Sequence, residues 1–164
     1  MNNTIAYHGE VTVKLIRDGR TIKAIKGANM GFVSLFSFLC KCAGGYFDVA
    51  KSSRPGRILL LENALETPTV QEASSGKHSA VLYNKPPKVD MKDNAPYLSL
   101  HFLIPFSYIS DMERVSAMKL ISVDNGEELA YFALEEPIAV KDSQESGYSL
   151  AVEWRLTFAN TSNQ

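Results

Sequence analysis

The chain of 164 residues carries a net charge of −1, with 45 % hydrophobic and 21 % charged side chains, a balance that excludes disordered and fibrous classes. Its length suits a single domain over residues 1–164 that buries roughly 70 % of its unfolded surface. The charge is polarised: residues 1–60 hold nine of the 17 Lys and Arg against three of the 18 acids, about +6, and the rest holds eight against fifteen, about −7. One fold can neutralise that polarity internally, or neighbouring copies can do so between them.

The N-terminal Met1-Asn2-Asn3-Thr4 lacks the basic start and apolar run of a secretory signal, so synthesis in a cytoplasm is expected. From Glu10 to Arg17, Val11, Val13 and Leu15 alternate with Thr12, Lys14 and Ile16, as in a half-buried strand. Asp18-Gly19 is a two-residue hairpin turn, and Arg20 to Lys26 returns as the partner. A tight turn sets Leu15 opposite Ile22, Val13 opposite Ala24, Lys14 opposite Lys23 and Arg17 opposite Arg20. Opposed like charges are unfavourable, so either something acidic sits nearby or the long side chains splay into water.

Gly27 to Gly31 reads as a turn, after which Phe32, Leu35, Phe36 and Leu39 follow helical spacing, giving one amphipathic helix over residues 32–43 that Gly44-Gly45 ends. The Phe-rich face is expected to cover the chain's own sheet or the open end between its layers. The longest apolar stretch, Phe32 to Leu39, is too short to cross a membrane. Cys40 and Cys42 point about 200° apart on a helix, too divergent for a disulfide, and are expected as buried or half-buried thiols.

Arg57 to Leu61 is a short apolar run, as in a strand buried on both faces. Residues 62–77 form a long polar loop or arm. His78 to Tyr83 is a short strand, and Lys88 to Asn94 a second loop. Tyr97 to Phe106 alternates with Leu98, Leu100, Phe102 and Ile104 on one face. Val115 to Val123 and Glu128 to Leu134 pair about Asp124-Asn125-Gly126, Pro137 to Val140 is a separate extended piece, and Lys141 to Gly147 is a loop. In the final strand, Tyr148 to Phe158, Leu150, Val152, Trp154, Leu156 and Phe158 share a face. About eight strands joined mostly by turns predict an all-β, mostly antiparallel fold, economically a two-layer β-sandwich, with jelly-roll connections as one way of joining it.

Few patterns carry chemistry. No phosphate loop, dinucleotide fingerprint, nucleophile elbow or zinc-protease helix occurs. Glu127-Glu128 and Glu135-Glu136 are adjacent, so on a strand they diverge, unlike the convergent acids of glycoside hydrolysis, and they read as solvated turn charges. His8, His78 and His101 are isolated, short of a zinc set. Asp90, Asp93 and Asn94 offer oxygens, but Lys92 and the absent bidentate Glu depart from a calcium loop. The basic hairpin lacks the interleaved aromatics of a nucleic-acid surface.

Leu100 to Ile109 (LHFLIPFSYI), Ser116 to Ser122 (SAMKLIS), Glu128 to Leu134 (ELAYFAL) and Tyr148 to Asn160 (YSLAVEWRLTFAN) together resemble small virion proteins of tailed bacteriophages. The front, V-x-V-x-L-I-R-D-G-R, then a Phe/Leu-rich helix and R-P-G-R-I-L-L-L, looks like the opening of such proteins. The resemblance covers most of the chain. It implies a non-enzymatic β-sandwich building block of a tail, baseplate, connector or fibre-attachment region, present in several copies and carrying no catalytic residues. The partners then expected are other virion proteins and further copies of the chain, with no nucleic acid, membrane, small-molecule substrate or cofactor. The location the resemblance implies is the virion, after synthesis in the bacterial host cytoplasm. The expected contact residues are Lys14, Arg17, Arg20, Lys23 and Lys26 on the hairpin, and Glu66 and Glu72 in the long loop. A carbohydrate- or receptor-binding module, stacking sugar on an exposed Tyr or Trp, is the alternative.

Overall fold

In the computed structural model, which describes residues 5–65, 78–80, 88–93, 95–124, 126–140 and 147–160, the first hairpin pairs β1 (Ile5–Arg17) with β2 (Arg20–Gly31). Asp18 and Gly19 take positive φ values of 50° and 72°, the geometry a right-twisted two-residue hairpin requires. Arg17 faces Arg20 and Ile16 faces Thr21, but the register then shifts by one. Leu15 faces Lys23, Lys14 faces Ala24 and Val13 faces Ile25, so the tight-turn pairings of Lys14 with Lys23, Leu15 with Ile22 and Val13 with Ala24 do not form. A β-bulge absorbs Ile22, which stays 42 % exposed, and turns Ile25 rather than Ala24 toward the core.

The expected turn at Gly27 to Gly31 is also absent, because β2 runs on to Gly31. Its inward positions are small or polar for lack of room. A Cβ on Gly27 would lie 2.8 Å from the Phe132 ring, and one on Gly9 would fall inside the side chain of Asn29, its cross-strand partner. The Asn29 amide fills that space. Its oxygen accepts from Trp154 Nε1 at 3.0 Å and from the Glu10 N–H at 3.1 Å, while its nitrogen donates to the Tyr7 hydroxyl at 2.6 Å. Burial raises the Tyr7 hydroxyl well above the usual phenol range.

Helix α1 (Val33–Ala43) agrees closely with the sequence reading. Phe32 and Leu35 are buried, Leu39 is half-buried, and Phe36 stands edge-on to Tyr7 with ring centroids 5.5 Å apart. Gly45, at φ 80°, is the left-handed residue that ends the helix, with Gly45 N–H bonded to Cys42 O and Tyr46 N–H to Lys41 O. Both cysteines are free; Cys42 is half-buried, but Cys40 is exposed, against expectation, because it lies on the face turned from the sheet. A four-residue helical turn, α2 (Phe47–Ala50), follows.

The remaining strands are β3 (Pro55–Leu61), β4 (His78–Ala80), β5 (Lys88–Lys92), β6 (Ala95–Ile104), β7 (Arg114–Ser122), β8 (Glu128–Ala139) and β9 (Ser149–Asn160). Two differ from the sequence reading. The stretch expected as a loop from Lys88 is strand β5, paired with β6 about a turn in which Asp93 has φ 50°. Hydrophilic Lys88, Asp90 and Lys92 had masked its alternation with Val89 and Met91. Strand β8 runs through Pro137 to Ala139, absorbing the expected separate piece, and the register breaks between Ala133 and Ile138 where proline can sit. Glu135 and Glu136 are therefore exposed strand residues, not turn charges. Of the expected loops, residues 66–77 and 141–146 lie outside the described residues, as does the end of the expected strand at 81–83.

Every described strand pair is antiparallel, in the order β4-β3-β7-β8-β2-β1-β9-β6-β5, so the fold is all-β with one full helix. The order is one continuous sheet rather than two separate ones, but among the described residues its halves are joined by a short ladder in which Met30 and Gly31 of β2 meet Tyr131 and Ala130 of β8, continued by the Phe32 N–H bond to Leu129 O. The halves share a core: Val11, Val13, Leu100, Phe102, Val152 and Trp154 from one belong to the same buried cluster as Ile58, Leu60, Met118, Leu120 and Phe132 from the other. Strand β3 is buried on both faces as expected, since Leu59 and Leu61 join Phe32, Ala117, Ile121 and Tyr131 in a second cluster. Lys119 lies on that second face between Leu59 and Tyr131, fully buried, with its Nζ 2.7 Å from Glu128 Oε2.

Candidate functional site

Inward alternation on β1, β9 and β6 turns a complementary polar set outward. Cross-strand pairing brings Glu10 beside Arg155, Thr12 beside Glu153 and Lys14 beside Ala151, and then Glu153 beside His101 and Arg155 beside Ser99. At the centre, Ser99 Oγ donates to Glu153 Oε1 at 3.0 Å and lies 3.0 Å from His101 Nε2. A hydroxyl has one proton, so with that proton on Glu153 the ring N–H of His101 donates to Ser99. This is the reverse of a catalytic serine, which gives its proton to the imidazole while the acid sits behind the ring.

Arg155 donates to the same Glu153 oxygen at 2.8 Å and lies 4.7 Å from the Tyr97 ring centroid. Burial pulls the Glu153 carboxyl upward, but hydrogen bonds from Arg155 and Ser99 outweigh it and hold the group below its usual range. Burial likewise disfavours charge on Arg155, and its bond to Glu153 more than compensates. Two depressions flank this row. One of about 290 Å³ is lined by Thr12, Lys14, His101, Leu103, Ala151 and Glu153; the other, about 320 Å³, by His8, Glu10, Lys92, Tyr97, Arg155 and Thr157. Fixed charges of both signs stand in each, Lys14 with Glu153 in the first and Glu10 with Lys92 and Arg155 in the second.

The five hairpin cations selected from sequence do not form one patch. Lys14 lies on the outer face at the first depression, and Arg17 and Arg20 oppose each other at the tip. The bulge sends Lys23 to the other face, where its Nζ lies 3.5 Å from Glu136, while Lys26 reaches Glu10 at 3.1 Å. Acidic partners thus sit beside two of the cations. Glu66 and Glu72 lie outside the described residues.

Asp90 is held by Lys88 at 3.0 Å and by the Met91 N–H at 2.9 Å, and no group of three metal-binding side chains occurs among the described residues. No described helix is long and apolar enough to cross a membrane. The Ser99–Glu153–Arg155 row leaves no local signal in the sequence, because Ser99 and Glu153 lie 54 residues apart. Lys119 did leave one, a lone cation in the apolar run of β7. Compared with known proteins, the chain matches no family model, no curated protein and no solved structure significantly.

Proposed function

We propose that the chain is a non-catalytic structural subunit of a phage virion, of the tail, baseplate or head–tail connector region, made in the bacterial host cytoplasm. It acts through contacts with other virion proteins and with copies of itself. The observation that carries this reading is the long free side of β2. Among the described residues, Arg20–Asn29 pairs with β1 alone, and no strand joins its other side until Met30 reaches β8. Unpaired backbone of that length is a template for an added strand from a neighbour.

The segments that resemble virion proteins fall on β1, β2, β3, β6, β7, β8 and β9, the strands that build the shared core, so the likeness concerns the scaffold. Mass spectrometry of purified virions tests the reading: the chain is expected as a multi-copy component, and its absence from particles overturns the proposal.

The polar outer face favours a second reading, a carbohydrate- or receptor-binding module in which Tyr97 contributes a ring beside Arg155. Glycan-array binding that Tyr97→Ala abolishes would put this reading first.

A further inference from the structure

We propose that β5 is the edge through which two copies of this chain pair, antiparallel about a twofold axis, so that their sheets become one. This deepens the assembly reading and rests on it only in that copies meet. Strand β5 ends the sheet order, and among the described residues only β6 pairs with it. It alternates strictly. Val89, opposite Leu98 on the core side of the sheet, is 73 % exposed and Met91 is 60 % exposed, while Lys88, Asp90 and Lys92 share the other face. An unpaired edge carrying exposed apolar side chains is what proteins ordinarily cover or blunt with charge.

Lysines alone would blunt it, and Asp90 between them changes the outcome. In a symmetric antiparallel pair, one residue sits on the axis opposite its own copy. With Val89 there, Lys88 faces Asp90 of the second copy and Asp90 faces its Lys88. With Met91 there, Asp90 and Lys92 face each other in the same way. Either apolar-centred register therefore opposes unlike charges across the strands, a favourable arrangement, and brings Val89 or Met91 against its own copy on the other face. The registers centred on Lys88, Asp90 or Lys92 oppose like charges instead. The free side of β2 differs, since Arg20–Asn29 contains no acid: self-pairing centred on Lys23 sets Arg20 against Lys26, and no register there opposes unlike charges. The second copy thus belongs on β5, leaving β2 for a partner of other sequence.

Sedimentation velocity of the full chain over a concentration series tests this. A reversible dimer is expected, and Asp90→Lys, which makes the charged face wholly cationic, should raise the dimer dissociation constant about tenfold or more. The charge-swapped Lys88→Asp/Asp90→Lys/Lys92→Asp chain restores complementarity in both registers and should dimerise again. Trp154 emission confirms that each variant remains folded. A chain that stays monomeric, or a dimer indifferent to Asp90→Lys, overturns the proposal. A monomer that is nevertheless found in virions refutes the β5 pairing alone, whereas a β5 dimer absent from virions refutes the virion reading alone.

Discussion

Replacing Glu128 by Gln would leave the Lys119 ammonium buried without its counter-ion. The Lys119 side chain is 0 % exposed and that of Glu128 12 %, so water cannot take the carboxylate's place at the ammonium. Breaking a buried pair from one side costs about 3–5 kcal/mol, which for a chain of this size lowers Tm by roughly 6–20 °C. Lys119→Met should cost less, about 1–2 kcal/mol, because it keeps the apolar stem between Leu59 and Tyr131 and strands only the more exposed partner. The double variant should fall within about 1 kcal/mol of the parent, giving a coupling energy of several kcal/mol. Urea denaturation followed by the emission of Trp154, the chain's one tryptophan, reads all four proteins. A Glu128→Gln chain within about 0.5 kcal/mol of the parent would refute the reasoning, since it would mean the ammonium is hydrated.

Asn29→Leu should destabilise by about 2–4 kcal/mol in the same assay, because Trp154 Nε1 and the Tyr7 hydroxyl lose their buried partner. Gly27→Ala should cost about 1–3 kcal/mol through its clash with the Phe132 ring, and Phe132→Leu should recover part of that, measured as a double-mutant cycle. For pH, the folded-state pKa of Glu153 is depressed: burial opposes ionisation, and the bonds from Arg155 and Ser99 overcome it. Its contribution is therefore complete above the unfolded carboxylate value of about 4.3 and is lost as pH falls through the lower folded value. The stability gap between the parent and Glu153→Gln, present at pH 7, should close in that acid window; a gap that widens there would contradict the sign. Exposed Cys40 should react with a thiol reagent in the native state before half-buried Cys42, as peptide mapping of the modified chain would show.

Local chemistry alone sets the first hairpin turn, the helix face and the inner side of the last strand. Asp18-Gly19 supplies the two positive φ values its turn needs, Phe32 and Leu35 recur at the spacing of a helix face, and the period-2 pattern of Leu150, Val152 and Trp154 leaves one choice of inner side. Elsewhere a distant contact overrides the local signal. Ile22 looks like a core residue until a bulge lets Ile25 take that place, and Gly27 to Gly31 looks like a turn until the Phe132 ring against Gly27 and the Tyr7 ring against Gly31 explain its glycines. The same holds for Lys88 to Lys92, whose charges suggest a loop while Val89 and Met91 carry the alternation of an edge strand. The hairpin cations were identified from sequence, but their division between two faces follows from the single-residue shift at Ile22, and their acidic partners, Glu10 and Glu136, from pairing across the sheet.

Cryo-electron microscopy of virions made from the genome that encodes this chain tests the assembly reading most directly. The expected result is a repeated nine-stranded density, with β2 along Arg20–Asn29 or β5 along Lys88–Lys92 joined to a neighbouring subunit. Fully assigned particles that lack this domain would contradict the account.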